Sequence, residues 1–325
     1  MEQGQGQGTP LGYSLESLVM PEKDLDNVDG AATDAPAWFR RALEAPVVID
    51  HVSVDGCSIA FRRWGDQSRP GVVLVHGGGA HSRWWDHVAP LLAAECSVAA
   101  LDLSGHGDSG RRDRYTFTDW AREILAVAEE LAGPEAPVVV AHSMGGLAAI
   151  QAAATSGDRM KGVIIVDSAV RTFSPEEEAG REGVFGPLRV YPTLDAALAR
   201  FHPVPDQPDS LPYVMDHVAR TSAHQVPGGW SWKFDPAFHH GFERPEPDVL
   251  SAVSCRVALL RAEFGLVTPD IGTSMHEKLG RNAPVIEIPL AHHHVMLDQP
   301  LSLITAIRTL LADWRHSAAV PKEWS

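Results

Sequence analysis

Four short apolar runs, at residues 72–75, 98–103, 138–141 and 163–166, recur in this chain without the in-out alternation of a half-exposed strand. Strands that are apolar on both faces lie inside a parallel sheet with helices above and below it. The intervening segments carry the period of such helices: Trp85, Val88 and Leu92 recur at helical spacing, as do Trp120, Ile124, Val127 and Leu131. Residues 47–54 and 58–64, on either side of Asp55-Gly56, read as a hairpin that opens the series. Strands at 257–260 and 285–288 follow later, then a helix with Leu301, Ile304, Ile307, Leu311 and Trp314 on one face. The pattern predicts an α/β fold with a mostly parallel sheet layered between helices.

The alternation is interrupted at residues 169–252, which are rich in Pro, Glu, Asp and His and contain short helical pieces at 193–201 and 212–221. This segment reads as an inserted, mainly helical cap on a core formed by 46–168 and 253–325. Residues 1–45 read as an arm with a short helix. Its Gly- and Gln-rich start carries Leu15, Leu18, Val19 and Met20 as a local binding candidate, and residues 37–43 lay Trp38, Phe39 and Leu43 on the main body.

Composition narrows the class. With 44% hydrophobic and 21% charged residues in 325, the chain can bury a large core, and no apolar stretch reaches the roughly 18 residues of a spanning helix. The first residues lack a basic segment followed by an apolar one, so a cytoplasmic protein is the expectation. Cys57, Cys96 and Cys255 are far apart, lie in strand-like runs and form no CxxC pair, which predicts buried reduced thiols. A net charge of -15 disfavours nucleic acid and anionic membranes as partners. A small molecule is the expected partner, and the oligomeric state is left open.

The apolar run at 137–140 leads into Ala141-His142-Ser143-Met144-Gly145-Gly146 and then an Ala-rich helix. A serine at such a strand-to-helix turn holds its hydroxyl clear of the backbone, with a helix N-terminus behind it. Ser143 is therefore the candidate nucleophile. A serine hydroxyl needs a base, an acid to orient that base, and donors for the oxyanion. His76-Gly77-Gly78-Gly79 after the third strand lets backbone amides approach closely, and the amides of Gly78 and Met144 are the candidate donors. No Gly-Lys-Ser/Thr follows, so this is not a phosphate loop.

These residues resemble the α/β-hydrolase family over about 46–315, and Asp102-Leu103-Ser104-Gly105-His106-Gly107-Asp108-Ser109 resembles the family's Asp-x-x-Gly-x-Gly-x-Ser turn. The resemblance implies an eight-stranded sheet with a cap after the sixth strand. It also implies a catalytic histidine after the last strand, where the chain reads Ala291-His292-His293-His294. Aligning Asp298-Gln299-Pro300 with the family's acidic-x-Pro ending selects His293. Three consecutive side chains cannot all face one ion, and no Cys or Glu joins them at ligand spacing, so neither a metal nor a cofactor is expected. The family's usual acid position, after the seventh strand, holds Gly265. Asp167, after the sixth strand, is the alternative the resemblance offers, with Glu263 as the competing acid.

The implied activity is hydrolysis of carboxylic esters or lactones through an acyl-enzyme. Carbon-carbon hydrolysis of diketone-type acids uses the same three residues, and Arg189, Arg200 and Arg220 are available for such an anionic substrate. A hydrolase-fold binding protein without catalysis is the reading from a different class. Epoxide hydrolases and haloalkane dehalogenases of the family attack with an aspartate, which Ser143 replaces. On the substrate side the sequence offers Trp230, Trp232 and His81, and at least one of Trp84 and Trp85 is expected in the core.

Overall fold

The structure is a computed structural model and describes residues 35–131, 133–174, 176–177, 185–240 and 243–317. Leu15, Leu18, Val19 and Met20 lie outside the described residues. Strands β3 (Gly71–Val75), β4 (Ser97–Leu101), β5 (Val138–His142) and β6 (Gly162–Val166) are buried along their whole length. Because side chains alternate across a strand, each run supplies two cores at once. Val73, Val75, Ala99, Leu101, Val139, Ala141, Val163 and Ile165 pack with the helices Phe117–Glu130 and Met144–Ser156 on one face. Val72, Leu74, Val98, Ala100, Val138, Val140, Ile164 and Val166 meet Trp85, Val88, Leu92 and the helix Pro300–His316 on the other. An apolar run without alternation is thus what a strand between two helical layers requires.

With β1 (Val48–Val54), β2 (Cys57–Trp64), β9 (Arg256–Phe264) and β10 (Val285–His292), the sheet has eight strands in the order β1-β2-β4-β3-β5-β6-β9-β10. The pairs β1/β2 and β2/β4 are antiparallel and the other five are parallel. From β3 the chain moves outward to β4, then returns to β5 on the other side and continues to β6. Ligands of open α/β sheets bind at such a reversal, beyond the carboxyl ends of the strands. The loops after β3 and β5 meet there.

Between β6 and β9 the chain leaves the sheet and crosses its carboxyl end. Besides the helices Leu194–Leu198 and Pro212–Ser222, this segment holds a hairpin, β7 (Ala223–Val226) with β8 (Gly229–Trp232), which adds strands to the expected helices. It rests on the loops below it through Gly107 N donating to Lys233 O (2.7 Å), Asp235 N to Gly105 O (2.7 Å) and Leu211 N to Leu297 O (2.8 Å). On return, the helix Val249–Ala252 buries Leu250 in the core shared with Met144–Ser156, so the chain rejoins the core before residue 253.

Several local expectations are corrected. In the helix Ala37–Leu43, Phe39 and Ala42 are buried and Trp38 packs half-buried against the same core, where His87 and Tyr213 meet it, while Leu43 turns to solvent. In Pro300–His316, Leu301 is exposed in the first turn and Leu303 and Leu310 complete the apolar face. Trp84 and Trp85, of which at least one was expected in the core, are both buried there. The three cysteines are free thiols, but Cys96 and Cys255 precede their strands and Cys255 is only half-buried. Among the described residues no helix is long and apolar enough to cross a membrane.

Candidate active site

Ser143 joins β5 to the helix Met144–Ser156 with φ 53° and ψ −123°, a strained conformation for a residue with a side chain. The two glycines that follow make the turn possible. A Cβ on Gly145 would stand 2.2 Å from His76 O, and one on Gly146 2.0 Å from Ser168 Oγ. With the backbone so confined, the Ser143 side chain stays half-exposed among buried neighbours.

His293 directly follows β10, whose pairing with β9 carries a bulge between Ile288 and His292. Its Nδ1 lies 2.8 Å from Asp167 Oδ2 and its Nε2 2.9 Å from Ser143 Oγ. The carboxylate can only accept, so Nδ1 carries the proton and Nε2 accepts from the serine hydroxyl. Asp167 is fully buried at the end of β6 with φ 44°. Its Oδ2 also accepts from Leu266 N (2.7 Å), and its Oδ1 accepts from Ala262 N and Val267 N (3.2 Å each). Burial pushes this carboxyl up, but the hydrogen bond and charge of His293 and the amides of Leu266 and Ala262 prevail and hold it below the ordinary aspartate value.

Gly265 leaves the room that the Asp167 carboxylate occupies. A Cβ built there would lie 2.3 Å from Asp167 Oδ2 and 2.5 Å from its Cγ. The two positions therefore compete for one space, and a side chain at 265 excludes the carboxylate from 167. Glu263 is exposed and accepts from Leu290 N (2.8 Å), so the structure does not bring it into the cluster.

The glycine loop lies over the serine. A Cβ on Gly77 would stand 3.0 Å from Ser143 Cβ, and one on Gly78 3.5 Å from the Met144 sulfur. Gly79 has φ 69°, and a Cβ on it would stand 2.6 Å from the Phe185 ring. Beneath the loop, His76 Nε2 accepts from Leu103 N (3.0 Å), while Asp102 accepts from Ser82 N (2.6 Å) and Asp108 N (2.8 Å). The Asp102 to Ser109 turn is thus the brace of the glycine loop. Met144 begins a 13-residue helix, whose first amides have no partner within it.

The proposed substrate-side residues fare differently. His81 is buried, with Nε2 on Ser222 Oγ (2.9 Å) and Nδ1 accepting from Arg83 N (3.3 Å), so it ties the glycine loop to the crossing segment. Trp232 is half-buried beside Tyr191 and Phe201, and Trp230 pairs through its backbone with Tyr191. Arg189, Arg200 and Arg220 are exposed, Arg220 in an ion pair with Asp216. From the crossing segment Phe185 and Phe238 meet the glycine loop, with Phe234 and His239 beside them. No local motif marks these residues in the sequence.

The neighbours of His293 divide. His292 faces Asp298, its backbone N and its Nδ1 both reaching Oδ2 (2.7 and 3.1 Å). His294 is held by the crossing segment: its N donates to Gln207 Oε1 (2.8 Å), its O accepts from Gln207 Nε2 (3.4 Å), and its Nε2 donates to Pro205 O (3.1 Å). Gln207 therefore fixes the backbone next to His293. Removing a partner from a mostly buried amide costs about 1–3 kcal/mol, so Gln207→Leu is expected to lower kcat on the order of tenfold with KM little changed. Gln207→Glu, which keeps the acceptor, recovers most of that rate. Steady-state kinetics of the two variants checks this.

The model of the alpha/beta hydrolase family matches residues 72–306. Among similar proteins, the esterase Rv0045c of Mycobacterium tuberculosis is 30% identical, covering 79% of this chain and 88% of that protein. The lipase LipV of the same organism is 27% identical over 77% of this chain and 96% of its own length. A crystal structure of esterase Rv0045c superposes with a TM-score of 0.66 at 26% identity, covering 85% of this chain and 97% of that one. With its sheet, its strained serine turn and a family match over most of its length, the chain belongs to the alpha/beta hydrolase family.

Proposed function

We propose that this hydrolase cleaves carboxylic esters, lactones included, through an acyl-enzyme intermediate. The observation that carries the reading is the continuous array from Ser143 Oγ through His293 (2.9 Å) to Asp167 (2.8 Å). Ser143 attacks the acyl carbonyl while His293 Nε2 takes its proton, and Asp167 holds the imidazole in that tautomer and stabilises its charged form. The amides of Gly78 and Met144 receive the oxyanion. His293 then protonates the leaving alcohol, activates water against the acyl-enzyme, and returns the proton to Ser143 as the acid leaves. No metal or cofactor enters these steps.

The esterase and lipase among the similar proteins support an ester as the substrate class. Phe185, Phe234 and Phe238 beside the glycine loop support an apolar group in it. Exposure of the three arginines gives no anchor for a diketone acid, and a buried, ionised Asp167 supplies the acid that a non-catalytic relative would lack. A fluorophosphonate probe is expected to modify the chain once, on the peptide containing Ser143, and not to modify Ser143→Ala. Absence of labelling in the folded parent chain sinks the reading. Esters of graded acyl length, lactones and a diketone acid then rank the substrates.

A further inference from the structure

His142 is the residue before the nucleophile, and its ring lies against the other side of the catalytic histidine loop. The ring centres of His142, His293 and His294 form a triangle with sides of 4.7, 4.7 and 5.4 Å. One ring nitrogen from each lies within 4.8 Å of the other two, and all three side chains are buried. We propose that His142, His293 and His294 form a binding site for a divalent transition-metal ion of the zinc type, and that its occupation reversibly blocks the centre.

Two features support a ligand here over a packing cluster. First, every ring gives one N–H to an oxygen acceptor: His142 Nε2 to His293 O (2.9 Å), His293 Nδ1 to Asp167 Oδ2 (2.8 Å) and His294 Nε2 to Pro205 O (3.1 Å). Each ring is left with one lone-pair nitrogen, as in metal-bound histidines whose far N–H is held by a carbonyl or carboxylate. Of these, His294 Nδ1 is buried without a hydrogen-bond partner. Second, zinc bound to imidazole at about 2.0–2.1 Å places the ring centres of tetrahedral ligands about 5 Å apart, which is the spacing of the triangle. Bringing one lone-pair nitrogen of each ring to the ~3.4 Å separation around a tetrahedral ion requires ring rotation. Ser143 Oγ, 2.9 Å from His293 Nε2, stands ready as a fourth ligand. The Asp167 carboxylate behind His293 offsets part of the ion's charge.

Three consecutive histidines cannot all face one ion, and His292 indeed faces Asp298. The third ring comes instead from β5. Binding takes the His293 Nε2 lone pair, so the Ser143 proton loses its acceptor; no bond to substrate forms or breaks. The block, as distinct from the binding, rests on the hydrolytic reading above.

The test titrates zinc chloride into the chelator-free full chain. Calorimetry is expected to give one ion per chain, and cobalt(II) in its place the visible absorption of a nitrogen-ligated tetrahedral ion. X-ray absorption at the zinc edge of the parent chain shows three imidazoles. His142→Gln and His294→Gln each weaken binding at least about tenfold, while His292→Gln leaves it unchanged. Zinc slows ester hydrolysis over the same concentrations, and EDTA restores it. These binding readouts need no turnover, so they decide the site even if the chain hydrolyses no ester. The proposal is overturned by no binding up to millimolar zinc, or by a zinc edge with fewer than three imidazoles. Affinity unaltered in both folded variants, or hydrolysis undiminished with the ion bound, overturns it equally.

Discussion

Asp167→Gly is expected to lower kcat/KM about 10⁴-fold, because the imidazole loses the group that fixes its tautomer. Glycine is a suitable replacement, since φ at this position is 44°, a conformation it adopts without strain. Gly265→Asp alone loses activity and stability together. Its Cβ would lie 2.3 Å from Asp167 Oδ2, so the two carboxylates cannot share the site, and overpacking of this kind costs roughly 1–3 kcal/mol. Combined in one chain, the two changes remove the collision and place a carboxylate from position 265 within reach of His293 Nδ1. The double variant is expected to recover about a hundredfold of the rate lost in Asp167→Gly, nearly 3 kcal/mol, and the coupling exceeds that by whatever Gly265→Asp loses alone. Hydrolysis rates and thermal midpoints of the four chains test this cycle. If Gly265→Asp alone is as stable and active as the parent, the shared-space explanation of the acid's location fails.

The candidate nucleophile was legible in the sequence because it stands in a short local motif, and the candidate acid because its usual position is empty. Ser143 follows an apolar strand and precedes Gly145 and Gly146, and the vacancy at Gly265 directed attention to Asp167. The interior strands were legible for a similar reason: burial on both faces leaves no polar residue to obscure the run. What the sequence concealed depends on contacts between distant segments. Phe185 and Phe238 reach the glycine loop from the crossing segment, and His142 meets His294 across 152 positions of chain. The hairpin β7/β8 was missed because its strands are four residues each, too short for a periodic signal. His81 looked accessible from its place beside the glycines, yet Ser222 covers it.

Lowering the pH from 7 to 5 is expected to destabilise the fold by about 6 kcal/mol through three histidines alone, each losing ~1.4 kcal/mol for every pH unit over which only the unfolded chain holds its proton. Burial holds His76 and His87 down at about 4 and His142 at about 3, against an ordinary value of 6.5. Each is neutral in the fold and basic in the unfolded chain, so between 6.5 and the folded value the unfolded chain binds more protons. Stability therefore falls as pH falls through that window, by about 2 kcal/mol per histidine at pH 5. Buried His81, His106 and His294, also held down by burial, act in the same direction. Asp102, Glu123 and Asp298 oppose them: burial raises these carboxyls, so the folded chain takes up their protons first. Asp167 and Asp86 are held low, and their contributions are lost only at still lower pH. Since a domain of this kind has a total stability of about 5–15 kcal/mol, a cooperative acid transition is expected near pH 5, with a urea midpoint that drops steeply from pH 6.5. His87→Gln, which can still donate to Met296 O, removes one titrating group without opening a large cavity. Its stability curve should be flatter than the parent's by about 2 kcal/mol between pH 7 and 5. Parallel curves for the two chains would mean that His87 is as easily protonated in the fold as in the unfolded chain.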